Sequence, residues 1–445
     1  MLKLENLKYL TFEQSLQDTI AIQAEIKKNY SIDDLNWIVF GASYSGMKST
    51  IHRLTFPNNF YAAFASSAPV NFQYNLSSYL GHIGEVISRV DFGGGQACFD
   101  SVRQAFAQVD GLLANNSIDI LIQDFNICNK NVNISDPREK FAIARYLGGF
   151  IADFDQFSFA NPYTNPYASI CRPFSIKSRT PYETLKLIVQ TESDSTDCID
   201  ASYQALLEPL LKWGNGISNW TEYEDDNGGR AWGYEICNNM GFNAYCDVNT
   251  GCPLSNFSGP LGQISMCIDA FNITEDQMRS ASQKFLKTYG GATPNTTRLL
   301  MTNGYVDCGY PYGLTTSNND QEIYAIVNPI TGHVADINPQ KIYEPLILSE
   351  MRQNISKILG KWVEEATIKQ EATTTQEVTI EATTTQEATT EATTKATTKQ
   401  EATTEATTKA TTTQEATTEA TTKTSSGNKH VQNTLVFIIF MLFLF

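Results

Sequence analysis

Apolar residues recur at helical spacing between Thr11 and Tyr30, where Phe12, Leu16 and Ile20 share one face. Thr11 and Gln14 stand at the spacing of a capping box. The next pattern is different: Trp37-Ile38-Val39-Phe40 is a continuous apolar run, the signature of a parallel strand covered on both faces. A second helix is expected from Met47, stopped before Pro57, and a second strand over Phe60 to Ala65. Two more strands are expected at Leu299-Leu300-Met301 and Ile323 to Val327. Strand, helix, strand, a long interval and then late strands predict an α/β protein carrying a cap. The expected division is residues 1–71 for the first part of the sheet domain, 72–294 for a loop-rich, mainly helical insertion, and 295–363 for the return to the sheet.

Beyond residue 363 the pattern ends. Residues 364–424 are almost wholly threonine, alanine, glutamate, glutamine and lysine in E-A-T-T and E-A-T-T-T-Q repeats, with little to bury. This segment is expected to be a low-complexity stalk, suited to O-glycosylation. In residues 425–445, Ser425, Ser426, Gly427 and Asn428 precede an apolar run from Leu435 to Phe445. Its 11 residues are too few for a helix that spans a bilayer, which takes about 20. Small residues, a spacer and a terminal apolar run form the pattern of a GPI-attachment signal, with Ser425 or Ser426 as the attachment residue.

Charge narrows the function. The 445 residues carry 32 lysines and arginines against 48 acidic residues, a formal net charge of −16. Nucleic-acid binding needs a cationic footprint, so that class of partner is excluded. Eight N-glycosylation sequons begin at Asn75, Asn115, Asn133, Asn219, Asn256, Asn272, Asn295 and Asn354 and point to the secretory route. Eight of the nine cysteines lie within 72–294 and lack the C-x-x-C spacing of a zinc site, so disulfides are expected. Nine is odd: one cysteine stays outside the disulfides, or its partner lies outside the sequence. Residues 1–9 contain no apolar core of signal-peptide length.

The chemistry gathers at Val39-Phe40-Gly41-Ala42-Ser43-Tyr44-Ser45-Gly46. A buried strand running through small residues into a helix is the setting of a nucleophile elbow, where G-x-S-x-G lifts a serine hydroxyl on a strained turn. Ser43 takes the nucleophile position, and the amide of Tyr44 is placed to meet a developing oxyanion at the helix N-terminus. Ser45 replaces the last glycine of the motif and is a weak rival nucleophile. Four histidines are available as the base. His430 lies beyond the stalk, His52 is in the helix after the elbow and His82 is in the insertion. His333 follows a late strand and a turn with Pro329 and Gly332. Asp307 precedes it after Leu300 to Tyr305, which gives the order Ser, Asp, His of an α/β-hydrolase. No cofactor is called for.

These blocks resemble the serine peptidase family that contains lysosomal Pro-X carboxypeptidase, dipeptidyl-peptidase II and thymus-specific serine protease. Gly41 to Val70 looks like that family's G-G-S-Y-x-G block with its trailing S-S-A-P. TNGYVD (Thr302 to Asp307) and GHVADI (Gly332 to Ile337) resemble its aspartate and histidine blocks, and RAWGYEICNNMGF (Arg230 to Phe242) its R-x-W-x-x-x-x-C block. The likeness runs from about Leu7 to Val363. It implies an α/β-hydrolase domain with a helical, disulfide-containing cap, acting on peptides next to proline through Ser43, Asp307 and His333. Cys308 and Gly309 stand where the family has proline and tryptophan, and Asn238-Asn239 where an acid is expected. Only 42 residues precede Ser43, so the sheet is expected to be incomplete at its N-terminal side, with the strand ending at Phe40 short of neighbours. The alternative to a surface or lysosome-like prolyl exopeptidase is a catalytically impaired, surface-displayed glycoprotein that keeps the fold.

Overall fold

The computed structural model describes residues 4–32, 35–128, 132–133, 135–157, 167–193, 197–211, 229–368, 391 and 437–441. After a single turn at Leu4–Leu7, helix α1 (Phe12–Tyr30) leads into β1 (Trp37–Ala42), α2 (Ser43–Thr55) and β2 (Ala62–Ser66). A helical stretch follows: α3 (Ser77–Ile87), α4 (Gln96–Ala114), α5 (Ile118–Asp124), α6 (Pro137–Phe157), α7 (Ala168–Phe174) and α8 (Pro181–Glu192). It continues with α9 (Tyr203–Leu211), α10 (Gly229–Tyr234), a π-helical turn at Glu235–Met240, α11 (Leu261–Phe271) and α12 (Glu275–Tyr289). The chain then returns to the sheet through β3 (Leu299–Gly304) and β4 (Ile323–Asn328), followed by helix α13 at residues 346–368 and strand β5 (Phe437–Met441).

This is a mixed α/β fold around a small sheet of order β4-β3-β2-β1-β5, parallel throughout. The apolar run of β1 is buried on both faces, as a parallel strand requires. Trp37 and Val39 pack with Phe12, Leu16 and Met47 on the side of α1 and α2. Ile38 faces the other way, among Phe64, Leu300, Leu348 and Trp362, on the side of α13. Successive side chains thus join two separate cores across one sheet.

Four expectations need correction. The helix after the elbow begins at Ser43 rather than Met47, directly after β1 ends at Ala42, its extended N-cap. At the start of α1, Thr11 Oγ1 accepts from the Gln14 amide at 3.0 Å, but the Gln14 side chain donates to Asp18 at 2.7 Å instead of reaching back. Only half of the expected capping box is made. Nor does β1 lack neighbours: it pairs with β2 from Ile38 to Ala42 and with β5 from Trp37 to Gly41. The run read as part of a lipid-attachment signal supplies that second partner. Residues 364–368, expected to open the stalk, instead close α13, where Ala366 is buried; the rest of the stalk apart from residue 391 lies outside the described residues, as do His430, Ser425, Ser426 and Asn219.

Four disulfides tie the helical stretch together: Cys98–Cys171, Cys128–Cys198, Cys237–Cys267 and Cys246–Cys252. The first two bridge 73 and 70 residues, spans for which the chain-entropy picture gives about 4 kcal/mol each. Cys308 takes part in none of the four and is buried. It packs with Val306 in the same core as α4, α6 and α8, so the loop after β3 is seated on the helical region.

Candidate active site

Ser43 sits at the carboxyl end of β1, Asp307 follows the carboxyl end of β3, and His333 follows that of β4. Parallel strands therefore bring all three loops to one edge of the sheet, where open α/β folds place their ligands. The elbow has the expected strain. Ser43 has φ 56°, a left-handed conformation rare for a residue with a side chain. The N-cap of α2 is Ala42, which makes no side-chain cap hydrogen bond.

The small residues have separate reasons. A Cβ on Gly41 would stand 2.1 Å from the Ser45 carbonyl oxygen, so strand and helix touch there and only glycine fits. A Cβ on Gly46 would come within 2.9 Å of Ala68 Cβ, just beyond β2, and 3.0 Å of the carbonyl oxygen of Ser66, its last residue. Ser45 fits in place of the motif's last glycine. Its hydroxyl is buried and has no hydrogen-bond partner among the described residues, which disfavours it as a nucleophile.

Asp307 and His333 are joined directly. His333 Nδ1 lies 2.6 Å from Asp307 Oδ2, and the other carboxylate oxygen accepts from the Gly309 amide at 2.8 Å. Asp307 is 3% exposed and His333 9%. Burial works to lower the His333 pKa, but the charge and hydrogen bond of Asp307, with Asp336 adding to them, outweigh it and leave a net rise. With Nδ1 against the carboxylate, Nε2 is the ring nitrogen on the side away from Asp307. The loops carrying the pair touch each other: a Cβ on Gly304 would meet the Thr331 and Gly332 carbonyl oxygens at 2.3 Å, and the Val306 amide donates to Thr331 O at 3.0 Å. The histidine loop also reaches the end of β2, where the Val334 amide donates to Ser67 Oγ at 2.8 Å. Ala68, the next residue, is the one that crowds Gly46 of the elbow helix.

Tyr44, the residue after Ser43, is 8% exposed, and its phenol donates to Glu235 Oε2 at 3.0 Å. Asn239 Nδ2 donates to the same oxygen at 2.8 Å. Burial raises the pKa of Glu235 and lowers that of Lys48, which lies over the Tyr44 ring at 4.6 Å. A carboxylate is thus present beside Asn239 although the sequence has asparagines after Cys237. It comes from the π-helical turn two residues before that cysteine.

The remaining histidines separate. His52 is packed in the core with Nδ1 2.7 Å from Lys48 O, and burial takes its pKa down to about 4. His82 reaches the aspartate loop, where the Tyr305 carbonyl oxygen lies 2.6 Å from Nε2 and Glu85 3.0 Å from Nδ1. It also lines a cleft of about 400 Å³ with Glu85, Phe99, Thr250 and Pro311. Sequence position alone gave no sign of that contact, since 223 residues separate the partners. The sequon asparagines at 75, 115, 133, 256, 272, 295 and 354 are all exposed. Among the described residues no helix is long and apolar enough to cross a membrane.

A strained serine at a strand end and a buried Asp–His pair at the same sheet edge are the features of serine-type hydrolases. Residues 1–355 match the family described as Serine carboxypeptidase S28, and the chain belongs to that family of serine-type peptidases. It is similar to the thymus-specific serine protease of Mus musculus, 26% identical over 371 residues that cover 82% of this chain and 71% of the mouse protein. The Homo sapiens protein of the same name is 25% identical over 377 residues, covering 83% and 71%.

Proposed function

We propose that the chain is a serine exopeptidase that cuts peptides next to proline, with Ser43, His333 and Asp307 as its triad. The observation that carries the reading is the 2.6 Å Asp307–His333 hydrogen bond, at the sheet edge that also bears the left-handed Ser43. Ser43 Oγ attacks the scissile carbonyl while His333 Nε2 takes its proton, and the oxyanion meets the Tyr44 amide. The imidazolium then protonates the leaving amine, and water releases the acyl group by the same route. Proline preference rests on the likeness of Gly41 to Val70 and Arg230 to Phe242 to the family's blocks. In this reading residues 1–71 and 295–363 form an α/β-hydrolase domain and 72–294 its cap.

The exposed sequons support a glycoprotein of the secretory route. A lipid anchor at Ser425 or Ser426 would remove the segment that forms β5, so anchoring and β1–β5 pairing exclude each other in one molecule. The test is a fluorophosphonate probe on the protein displayed on cells. Labelling of the peptide that holds Ser43, with release of residues or dipeptides beside proline, is the expected result. A properly folded protein that takes up no label is the impaired glycoprotein instead. Release of the labelled protein by phosphatidylinositol-specific phospholipase reports the anchor; retention on the cells removes it from the proposal.

A further inference from the structure

The histidine loop is not regular structure, yet it must hold an imidazole against Asp307. Its backbone is strained: Val334, directly after His333, has φ 48°. A β-branched residue in the left-handed region is an outlier that persists only where its surroundings over-determine it. The restraints lie on the three residues that follow His333. The Val334 amide is held by Ser67, and Arg352 from α13 donates to the carbonyl oxygens of Ala335 at 2.9 Å and Asp336 at 2.6 Å. The Asp336 side chain supplies the link to the sheet. Ser66 Oγ, in the last residue of β2, donates to Oδ1 at 2.6 Å, and Thr302 Oγ1, in β3, donates to Oδ2 at 2.8 Å. Ser66 and Thr302 are fully buried and Asp336 is 8% exposed, so water cannot readily replace either bond.

We propose that Asp336 is a positioning residue, whose buried carboxylate ties the strained loop to β2 and β3 and thereby holds His333 on Asp307. The inference rests on the role given above to the Asp307–His333 pair. The carboxylate suits this task because it accepts on both oxygens, and both neighbours are hydroxyl donors. An asparagine offers one acceptor and one donor. One hydroxyl would have to reverse to accept from the NH2 group, and its own proton would lose the carboxylate oxygen that now accepts it. Released from that tie, the loop can relax the strain at Val334, and the neighbouring imidazole moves with it.

The test compares Asp336→Asn with the wild type in two readouts. The first needs no activity: in protein with 15N-labelled histidine, the proton between His333 Nδ1 and Asp307 should give a far-downfield resonance, assigned by its absence in His333→Asn. The resonance should be present in the wild type and lost in Asp336→Asn. The second is turnover, where kcat should fall by roughly 10²-fold, the scale of a misplaced catalytic group, with KM within about twofold. Thr302→Val keeps the side-chain shape without the hydroxyl and should weaken the same resonance if Asp336→Asn does not fold. A folded Asp336→Asn or Thr302→Val that keeps the resonance unchanged overturns the proposal. A wild type with the resonance but no turnover would count against the peptidase reading and leave the positioning role decided by the resonance alone.

Discussion

Replacing Ser43 by alanine should lower kcat by about a millionfold and abolish fluorophosphonate labelling, while the protein folds as before. The magnitude is that of removing the nucleophile from a triad that acts as a unit. The fold should survive for local reasons. Serine and alanine meet the same backbone demand at φ 56°, so the exchange adds no strain, and the position is only half-buried. The neighbouring serine cannot take over. Ser45 lies two residues further into α2, 1% exposed, with its hydroxyl directed into packed protein. Circular dichroism and thermal unfolding of Ser43→Ala against wild type check the fold, and hydrolysis of a proline-containing peptide checks the rate. Retained turnover or labelling would remove Ser43 from its role.

The parts of this site that could be read from the sequence are those written in local patterns. Trp37 to Phe40 announced a covered parallel strand because burial on both faces leaves no polar position to interrupt the run. Gly41 and Ser43 announced an elbow because the strand-to-helix contact at the Ser45 carbonyl admits no side chain at position 41. The order of Asp307 and His333 followed from strand order. What escaped was set by register and by long-range contact. Asp336 was visible in the GHVADI block, but its partners Ser66 and Thr302 lie on two strands, 270 and 34 residues away. Their meeting depends on Ser66 pairing with Thr302 across β2 and β3, which no local pattern encodes. The acid near Tyr44 escaped because a π-helical turn, not a regular helix, carries Glu235 beneath the phenol. The C-terminal apolar run was conspicuous as a hydrophobic segment. Its pairing with β1 was not, because an apolar strand and a short apolar tail look alike in sequence.

Asp307→Asn should reduce kcat by about 10⁴-fold, or about 5.5 kcal/mol of transition-state stabilisation, without displacing the loop. The two carboxylate oxygens have different partners, and this decides how an asparagine must sit. The Gly309 amide requires an acceptor at the position of Oδ1, so the amide oxygen goes there. The NH2 group then faces His333 Nδ1, which must accept rather than donate. That choice places the imidazole proton on Nε2, the nitrogen that has to receive the Ser43 proton. The base is present, correctly located and in the wrong tautomer. The pH dependence should change in a fixed direction as well. In the wild type the neutral imidazole is the active form and the net pKa shift of His333 is upward, so kcat/KM should rise with pH through a limb above about 6.5, the ordinary histidine value. Burial is the largest single influence on His333 and is outweighed only by the Asp307 charge and hydrogen bond together with Asp336; asparagine removes that charge, and the limb of the residual activity should move below the wild-type position. Profiles of kcat/KM for the two proteins, with the Nδ1 proton resonance as a check on tautomer, measure both effects. A variant with nearly full kcat, or with its limb moved upward, would show that Asp307 does not set the state of His333.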